Sequence, residues 1–110
     1  LERGFYMKIK TIGLPKLDLL TPTLESTIIK STEELGELAR AVGKFRGLNG
    51  EVKQKLPEKE ALTEIVKELL DLIQTSATMT FILEEEYGLD LNDIVDEHIR
   101  KLVKKGYVSP

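Results

Sequence analysis

The longest helical pattern in the sequence limits most strongly what this chain can fold into. It begins at Pro57, a residue type that suits the first turn of a helix, and runs to Tyr87, just before Gly88, a typical helix end. At a rise of 1.5 Å per residue, its ~30 residues span about 45 Å. The pattern is apolar on most sides, which is typical of a helix inside a protein or between subunits. Its apolar residues are Leu62, Ile65, Val66, Leu69, Leu70, Leu72, Ile73, Ala77, Phe81 and Leu83.

A helix of this length and apolar character is too long for a chain of 110 residues to cover alone. We therefore expect a homo-oligomer, either a homodimer or a dimer of dimers, in which a second copy covers the long helix.

Shorter helical patterns lie on either side of the long one. Thr21 is predicted to be the N-cap of the first helix, with Pro22 at its first position, and apolar residues recur at intervals of three and four as far as Phe45. The third helix is predicted to follow Asp90 and to end at Gly106. No segment alternates between apolar and polar residues as a strand does. We predict an all-α fold, an antiparallel helical bundle with two long helices that oligomerisation completes.

The length of the chain indicates one domain, which we assign to residues 7–110. Residues 1–6 precede the first methionine, Met7, and we interpret them as a vector-derived or disordered tail. The segment 46–55 contains two glycines and mostly polar residues, so it is predicted to be a loop. Neither a membrane-spanning apolar segment nor a signal peptide is evident, and we expect a cytoplasmic protein.

The composition excludes several kinds of site. The chain has no cysteine, which excludes disulfides, zinc–thiolate sites, iron–sulfur clusters and a cysteine nucleophile. His98 is the only histidine, so no site can combine several imidazoles. With 16 basic and 19 acidic residues the net charge is −3, and we expect neither a nucleic-acid partner nor a membrane partner.

Acidic residues recur at helical spacing on both long predicted helices. They are Glu33, Glu34 and Glu37 on the first helix, and Glu64, Glu68 and Asp71 on the second. Either group alone is typical of a solvated helix face. Glu68 and Asp71, however, lie within the most apolar segment of the chain, where like charges are costly unless a cation neutralises them.

The donor set indicates which cation this would be. Ligands that are all oxygen favour Mg²⁺, with Mn²⁺ as a substitute, over zinc or copper. A di-iron bundle is disfavoured because it uses Glu-x-x-His motifs. The third residue after Glu34 is Glu37, and the third residue after Glu68 is Asp71.

This order of motifs, Glu34-x-x-Glu37 and then Glu68-x-x-Asp71, resembles the metal signature of the MazG-like all-α nucleoside-triphosphate pyrophosphohydrolases. The wider segments 33–39, 64–72 and 87–94 also resemble that family, and the likeness extends over residues 20–108. The resemblance implies Mg²⁺-dependent hydrolysis of a nucleoside or deoxynucleoside triphosphate between its α- and β-phosphates. The products would be the monophosphate and pyrophosphate.

The resemblance also implies roles for individual residues. The implied metal ligands are Glu34, Glu37, Glu68 and Asp71. Glu37 is the first candidate for the general base that activates water, and Glu34 is the second. The candidate phosphate- or substrate-binding residues are Lys30, Glu33, Glu64, Lys101 and Lys104. The last two are included because related proteins place basic residues near the end of the equivalent helix.

Two alternative functions remain open. A phosphoribosyl-ATP pyrophosphohydrolase has the same architecture and chemistry, although no histidine follows the second acidic motif here. A non-catalytic helical oligomerisation or interaction module would leave the carboxylates in solvent, and Mg²⁺ would not change its stability.

Overall fold

Three α-helices with their connecting segments make up the computed structural model, which describes residues 7–48, 50 and 56–110. The helices are α1 (Leu24–Arg46), α2 (Glu58–Tyr87) and α3 (Leu91–Lys104), and these residue ranges contain no strand. The prediction of an all-α fold is therefore confirmed. The predicted tail, residues 1–6, lies outside the described residues, as do residues 49 and 51–55 of the predicted loop.

The start of α1 corrects the sequence-based prediction. The N-cap is Thr23 rather than Thr21, and Pro22 precedes the helix instead of occupying its first position. The Thr23 hydroxyl accepts a hydrogen bond from the Ser26 backbone N–H at 3.0 Å, and the Ser26 hydroxyl accepts one from the Thr23 N–H at 2.8 Å. This reciprocal pair satisfies two backbone N–H groups at once, which explains why the helix starts at Leu24.

The predicted end of α2 at Gly88 and the predicted N-cap of α3 agree with the structure, whereas α2 begins one residue after Pro57 and α3 ends at Lys104, before Gly106. Gly47 and Gly88 follow α1 and α2 with φ angles of 69° and 68°, a left-handed conformation that glycine adopts without steric cost. The Asp90 side chain caps α3 by accepting a hydrogen bond from the Asn92 N–H at 3.0 Å.

Helices α1 and α2 pack side by side in antiparallel orientation and provide nearly all of the contacts between helices. Near the start of α1, the Ser31 hydroxyl donates to the Thr75 hydroxyl at 2.8 Å. Near the end of α1, Phe45 lines a cavity together with Ala61 of α2. Residue numbers therefore rise along α1 as they fall along α2, which brings Glu34 and Glu37 opposite the middle of α2.

The segment before α1 is attached to the far half of α2. The Gln74 side-chain amide donates to the Pro15 carbonyl at 2.9 Å, and Lys16 forms an ion pair with Glu85 at 2.6 Å. Residues 14–22, which we call the N-terminal segment, thereby lie beside the interface of the two long helices and form one wall of the first cavity described below.

The core of the single chain is small. Among the described residues Ile82 is the only apolar side chain that is buried, whereas Thr27, Glu34 and Thr78 are buried polar residues. The side of α2 that points away from α1 carries exposed apolar residues, namely Leu62, Val66, Leu69 and Leu70. Helix α3 packs only marginally on the rest of the described chain. Of the helices that the structure describes, none is both long enough and apolar enough to cross a membrane.

Candidate metal centre

Four carboxylates face one another across the interface of α1 and α2. Each contributes one oxygen atom, and these four oxygens all lie within 4.8 Å of one another. A spacing of three residues puts two carboxylates on the same face of each helix, and the antiparallel packing sets the two pairs opposite each other. We call this set the carboxylate cluster, and it consists of Glu34, Glu37, Glu68 and Asp71.

One cation is already present at the edge of the cluster. Glu34 is 6% exposed, and its Oε1 lies 3.3 Å from the Nζ of Lys30, one helical turn earlier. The hydrogen bond to Glu34 is the main cause that raises the pKa of Lys30, followed by the negative charges of Glu34 and Glu33. The other carboxylate oxygen of Glu34, Oε2, is buried without a hydrogen-bond partner.

Glu68 is the member of the cluster that resists ionisation. Loss of hydration is the main cause that raises its pKa, followed by a hydrogen bond with Glu37 and by the negative charges of Glu37, Asp71 and Glu34. Its Oε2 is also buried without a hydrogen-bond partner. The fold thus gathers negative charge at this point, and Lys30 offsets only part of it.

These residues fit a bound divalent metal ion. Oxygens that bind one Mg²⁺ ion at 2.0–2.1 Å lie at most about 4.2 Å apart, which is close to the spread of the cluster. The two buried oxygens without partners, on Glu34 and Glu68, are lone-pair donors that nothing in the described chain uses. Donors that are all carboxylate oxygen suit Mg²⁺ or Mn²⁺.

The cluster borders two cavities of different chemistry. The first has a volume of about 460 Å³ and includes Glu34 and Asp71 in its wall. We call it the hydroxyl cavity, and its other lining residues include Leu17, Leu20, Pro22, Thr27, Thr75 and Thr78. The second has a volume of about 640 Å³ and includes Glu37 and Glu68. We call it the cationic cavity after Arg40 and Lys44, and its other lining residues include Ala41, Phe45, Glu58 and Glu64, so that its described lining holds four carboxylates and two cations.

The remaining predicted site residues are distributed unevenly. Lys30 lines the hydroxyl cavity and Glu64 lines the cationic cavity, where it also pairs with Lys67 at 3.2 Å. Glu33 is exposed, and its carboxylate lies 3.7 Å from the Nζ of Lys30. Lys101 and Lys104 are exposed on α3 and line neither cavity. The described chain therefore does not bring these two lysines to the cluster.

The structure also places residues at the site that the sequence analysis did not select. Arg40 lines the cationic cavity, and its spacing of three residues from Glu37 could have indicated this position. Thr27 and Thr78 line the hydroxyl cavity. Their position could not be read from the sequence, because several other threonines lie in the same helices and nothing local marks a buried hydroxyl.

Comparison with known proteins identifies a family for this chain. The family model of the MazG nucleotide pyrophosphohydrolase domain matches residues 22–106, a range that contains the whole carboxylate cluster. A curated relative from Bacillus subtilis (strain 168), the uncharacterized protein YvdC, is 35% identical over 74 residues. That match covers 66% of this chain and 66% of the relative. No solved structure matches the chain.

The match to the family model extends from just before α1 to just after α3, and it confirms the resemblance inferred from the two acidic motifs. The chain belongs to the MazG nucleotide pyrophosphohydrolase domain family.

Proposed function

We propose that the protein is a Mg²⁺-dependent pyrophosphohydrolase that cleaves a nucleoside or deoxynucleoside triphosphate between the α- and β-phosphates. The observation that supports this proposal best is the convergence of four carboxylates, with two buried oxygens that lack partners, between two cavities. Mn²⁺ is the expected substitute for Mg²⁺. The four members of the cluster are the proposed ligands. When bound, Mg²⁺ neutralises phosphate oxygens and lowers the pKa of a nearby water molecule.

Glu37, Glu34 and Lys30 have separate proposed roles. Glu37 is the proposed general base, because it is exposed and lines the cationic cavity beside the cluster, where a water molecule has access to it. Glu34 is the second candidate, but its burial and its ion pair with Lys30 limit its access to a water molecule. Lys30 holds a positive charge beside the cluster, where it orients Glu34 or meets a phosphate oxygen.

Arg40 and Lys44 are the proposed phosphate contacts on the other side of the cluster. They lie four residues apart on α1 and line the cationic cavity together with Glu37 and Glu68. A guanidinium group suits the bidentate binding of phosphate oxygens. Glu33 and Glu64 remain candidates for indirect contacts, through Lys30 and Lys67 respectively.

We also propose that the functional unit is a homo-oligomer, with a homodimer as its smallest form. The chain exposes 8986 Å², whereas a compact monomer of this mass exposes about 6,100 Å². The surplus of about 2,900 Å² per chain is ample for an obligate interface, in which the two partners together bury about 2,000–5,000 Å².

The decisive experiment is to measure the products formed from a panel of ribo- and deoxynucleoside triphosphates and phosphoribosyl-ATP, with Mg²⁺ and with EDTA. We expect Mg²⁺-dependent release of pyrophosphate and the corresponding monophosphate, and a higher melting temperature with Mg²⁺ than with EDTA. Orthophosphate and a diphosphate as products would contradict the proposed bond. No turnover, together with no effect of Mg²⁺ on melting, would favour a non-catalytic interaction module. Rapid cleavage of phosphoribosyl-ATP alone would assign the substrate to histidine synthesis.

The proposed cellular location is the cytoplasm, where such nucleotides occur.

A further inference from the structure

Two buried hydroxyl groups without partners lie in the wall of the hydroxyl cavity. Thr27 on α1 is 2% exposed and Thr78 on α2 is 6% exposed, and both residues line this cavity. Neither hydroxyl oxygen makes a hydrogen bond within the described chain. Most buried polar side-chain atoms in folded proteins have a hydrogen-bond partner, because leaving one without a partner costs stability.

Neighbouring hydroxyls on the same helices do have partners. Thr32 donates to the Ile28 carbonyl at 3.0 Å and Thr80 donates to the Ala77 carbonyl at 2.6 Å. Thr75, in the same cavity wall, accepts from Ser31 and donates to the Leu72 carbonyl at 2.8 Å. The lack of partners at Thr27 and Thr78 is therefore not a general property of threonine in these helices.

The position of the cavity connects these hydroxyls to the carboxylate cluster. Glu34 and Asp71, which belong to the cluster, form part of the cavity wall, and the N-terminal segment closes another side with Leu17 and Leu20. Its volume of about 460 Å³ lies within the usual range of small-molecule pockets, ~300–1,000 Å³. A molecule bound here would have one end at the cluster and the other between apolar walls that carry two hydroxyls.

We propose that the hydroxyl cavity binds the nucleoside part of the substrate, and that Thr27 and Thr78 are specificity-determining residues that hydrogen-bond the polar edge of its base. This proposal rests on the function proposed above. A base offers flat apolar faces to the leucines and a polar edge to the hydroxyls. Threonine in a helix populates two rotamers about its Cα–Cβ bond, so each hydroxyl can turn toward an occupant. A hydroxyl both donates and accepts a hydrogen bond, so it can match either kind of group.

The chemistry of the cationic cavity supports this orientation of the substrate. Arg40 and Lys44 line that cavity, on the Glu37 and Glu68 side of the cluster. Arg40 and Lys44 can bind the terminal phosphates there once a bound metal ion has neutralised the carboxylates of Glu37 and Glu68 beside them, which leaves the nucleoside to the opposite side. Among the described residues that line the hydroxyl cavity, Lys30 is the only cation, and it is already paired with Glu34.

The location can be tested without catalysis by adding free nucleosides to the wild-type protein in EDTA. Side-chain methyl resonances of threonine and alanine are followed by NMR. We expect at least one nucleoside to shift the Thr27 and Thr78 methyl signals, and to leave the signals of Thr32, Thr80 and Ala41 in place. Ala41 reports on the cationic cavity. Shifts at Ala41 instead, or no shift at any nucleoside concentration that stays soluble, would overturn the proposal.

The specificity role is tested with the isosteric substitutions Thr27→Val and Thr78→Val. Each variant is expected to change the ratio of kcat/KM between the best and the second-best nucleotide by roughly 3- to 10-fold, the effect of losing one hydrogen bond. Each variant should also melt at a higher temperature than wild type without nucleotide, because a buried unpaired hydroxyl has been removed. The matched controls are Thr32→Val on α1 and Thr80→Val on α2, whose hydroxyls bond to their own helix.

The outcomes separate this proposal from the proposed function. If wild type releases pyrophosphate but Thr27→Val and Thr78→Val leave the discrimination unchanged or melt lower, the specificity role is wrong and the function stands. If wild type hydrolyses no nucleotide, the function is wrong, and the NMR experiment still decides whether the cavity binds a nucleoside.

Discussion

Glu68 is the residue at which the fold most directly opposes a negative charge. Loss of hydration, its hydrogen bond with Glu37 and the neighbouring carboxylates all raise its pKa. The ionised Glu68 carboxylate therefore lowers the stability of the metal-free protein. A bound cation would remove the same repulsion, so the site favours cation binding.

The substitution Glu68→Gln should separate activity from stability. We expect turnover to fall on the order of 100-fold or more, because a proposed metal ligand is lost. The melting temperature in EDTA should rise, because the glutamine is neutral and nearly isosteric. Pyrophosphate release and thermal unfolding measure the two effects. Glu84→Gln is the matched control on the exposed end of α2 and should change neither. A variant that loses activity and also melts lower in EDTA would indicate a structural role for Glu68.

The same shift predicts how the stability of the metal-free protein depends on pH. A carboxyl with a raised pKa binds more protons in the folded state than in the unfolded state, so its contribution lowers stability as the pH rises. This loss of stability begins near the ordinary pKa of glutamate and is complete above the raised pKa of Glu68. In EDTA, the stability difference between Glu68→Gln and wild type should therefore grow from low to neutral pH. Urea midpoints across that range test this, and a constant difference would contradict it.

Helix α2 has two faces of opposite character. The face toward α1 carries the two carboxylates of the cluster and the buried Thr78, whereas the face away from α1 carries exposed leucines and Val66. This reverses the usual arrangement, in which the apolar face of a helix packs inside the chain. The carboxylate cluster occupies the interface within the chain, and the exposed apolar face is the surface that we propose a second copy covers.

The N-terminal cap of α1 supports this interface from one end. The reciprocal hydrogen bonds of Thr23 and Ser26 hold the first turn, which lies next to Thr27 in the wall of the hydroxyl cavity. We expect Thr23→Ala to lower the free energy of unfolding by about 1 kcal/mol. Urea unfolding measures this effect. Thr32→Ala, in the middle of the same helix, is the control. It should lower the free energy of unfolding by less, since the Thr32 hydroxyl only donates a hydrogen bond to the Ile28 carbonyl of its own helix. Equal losses in both variants would show that the cap contributes nothing specific.

At the scale of the whole molecule, the single chain is extended rather than compact. Its radius of gyration is 17.4 Å, whereas a compact chain of this length has about 13 Å. Helix α3 contributes to this extension, because it is amphipathic and yet packs only marginally on the other helices. Its exposed Ile94 and Val95 are 46% and 43% accessible.

The contribution of α3 to the proposed oligomer interface can be tested with two substitutions that each introduce a lysine. Val95→Lys places a lysine on the apolar side of α3, and Glu97→Lys places one on the opposite, polar side. We expect light scattering after size exclusion to show at least a dimer for wild type and Glu97→Lys, and a shift toward monomer for Val95→Lys. The monomer should also lose most of its stability, because the described chain buries a single apolar side chain. An unchanged mass for Val95→Lys would exclude this face from the interface.

The local features of this protein could be predicted from neighbouring residues in the sequence. Gly47 and Gly88 mark helix ends because the left-handed backbone there favours glycine, and Asp90 caps α3 through a residue two positions away. The spacing of three between Glu34 and Glu37, and between Glu68 and Asp71, indicates that each pair shares a helix face. The wrong prediction of Thr21 as the N-cap of α1 also has a local cause. The reciprocal hydrogen bonds between Thr23 and Ser26 fix the helix start at Leu24, although Thr21 followed by Pro22 is also a typical start signal.

The remaining features depend on contacts between residues far apart in the sequence, and local patterns do not encode those. The attachment of Pro15 and Lys16 to α2 creates a wall of the hydroxyl cavity, and it relies on partners 59 and 69 residues away. The burial of Thr27 and Thr78 follows from how α1 and α2 meet, not from the residues around either threonine. Helical periodicity therefore specified the carboxylate pairs, whereas the packing of α1 on α2 produced the cavities beside them, with the N-terminal segment as a wall of the hydroxyl cavity.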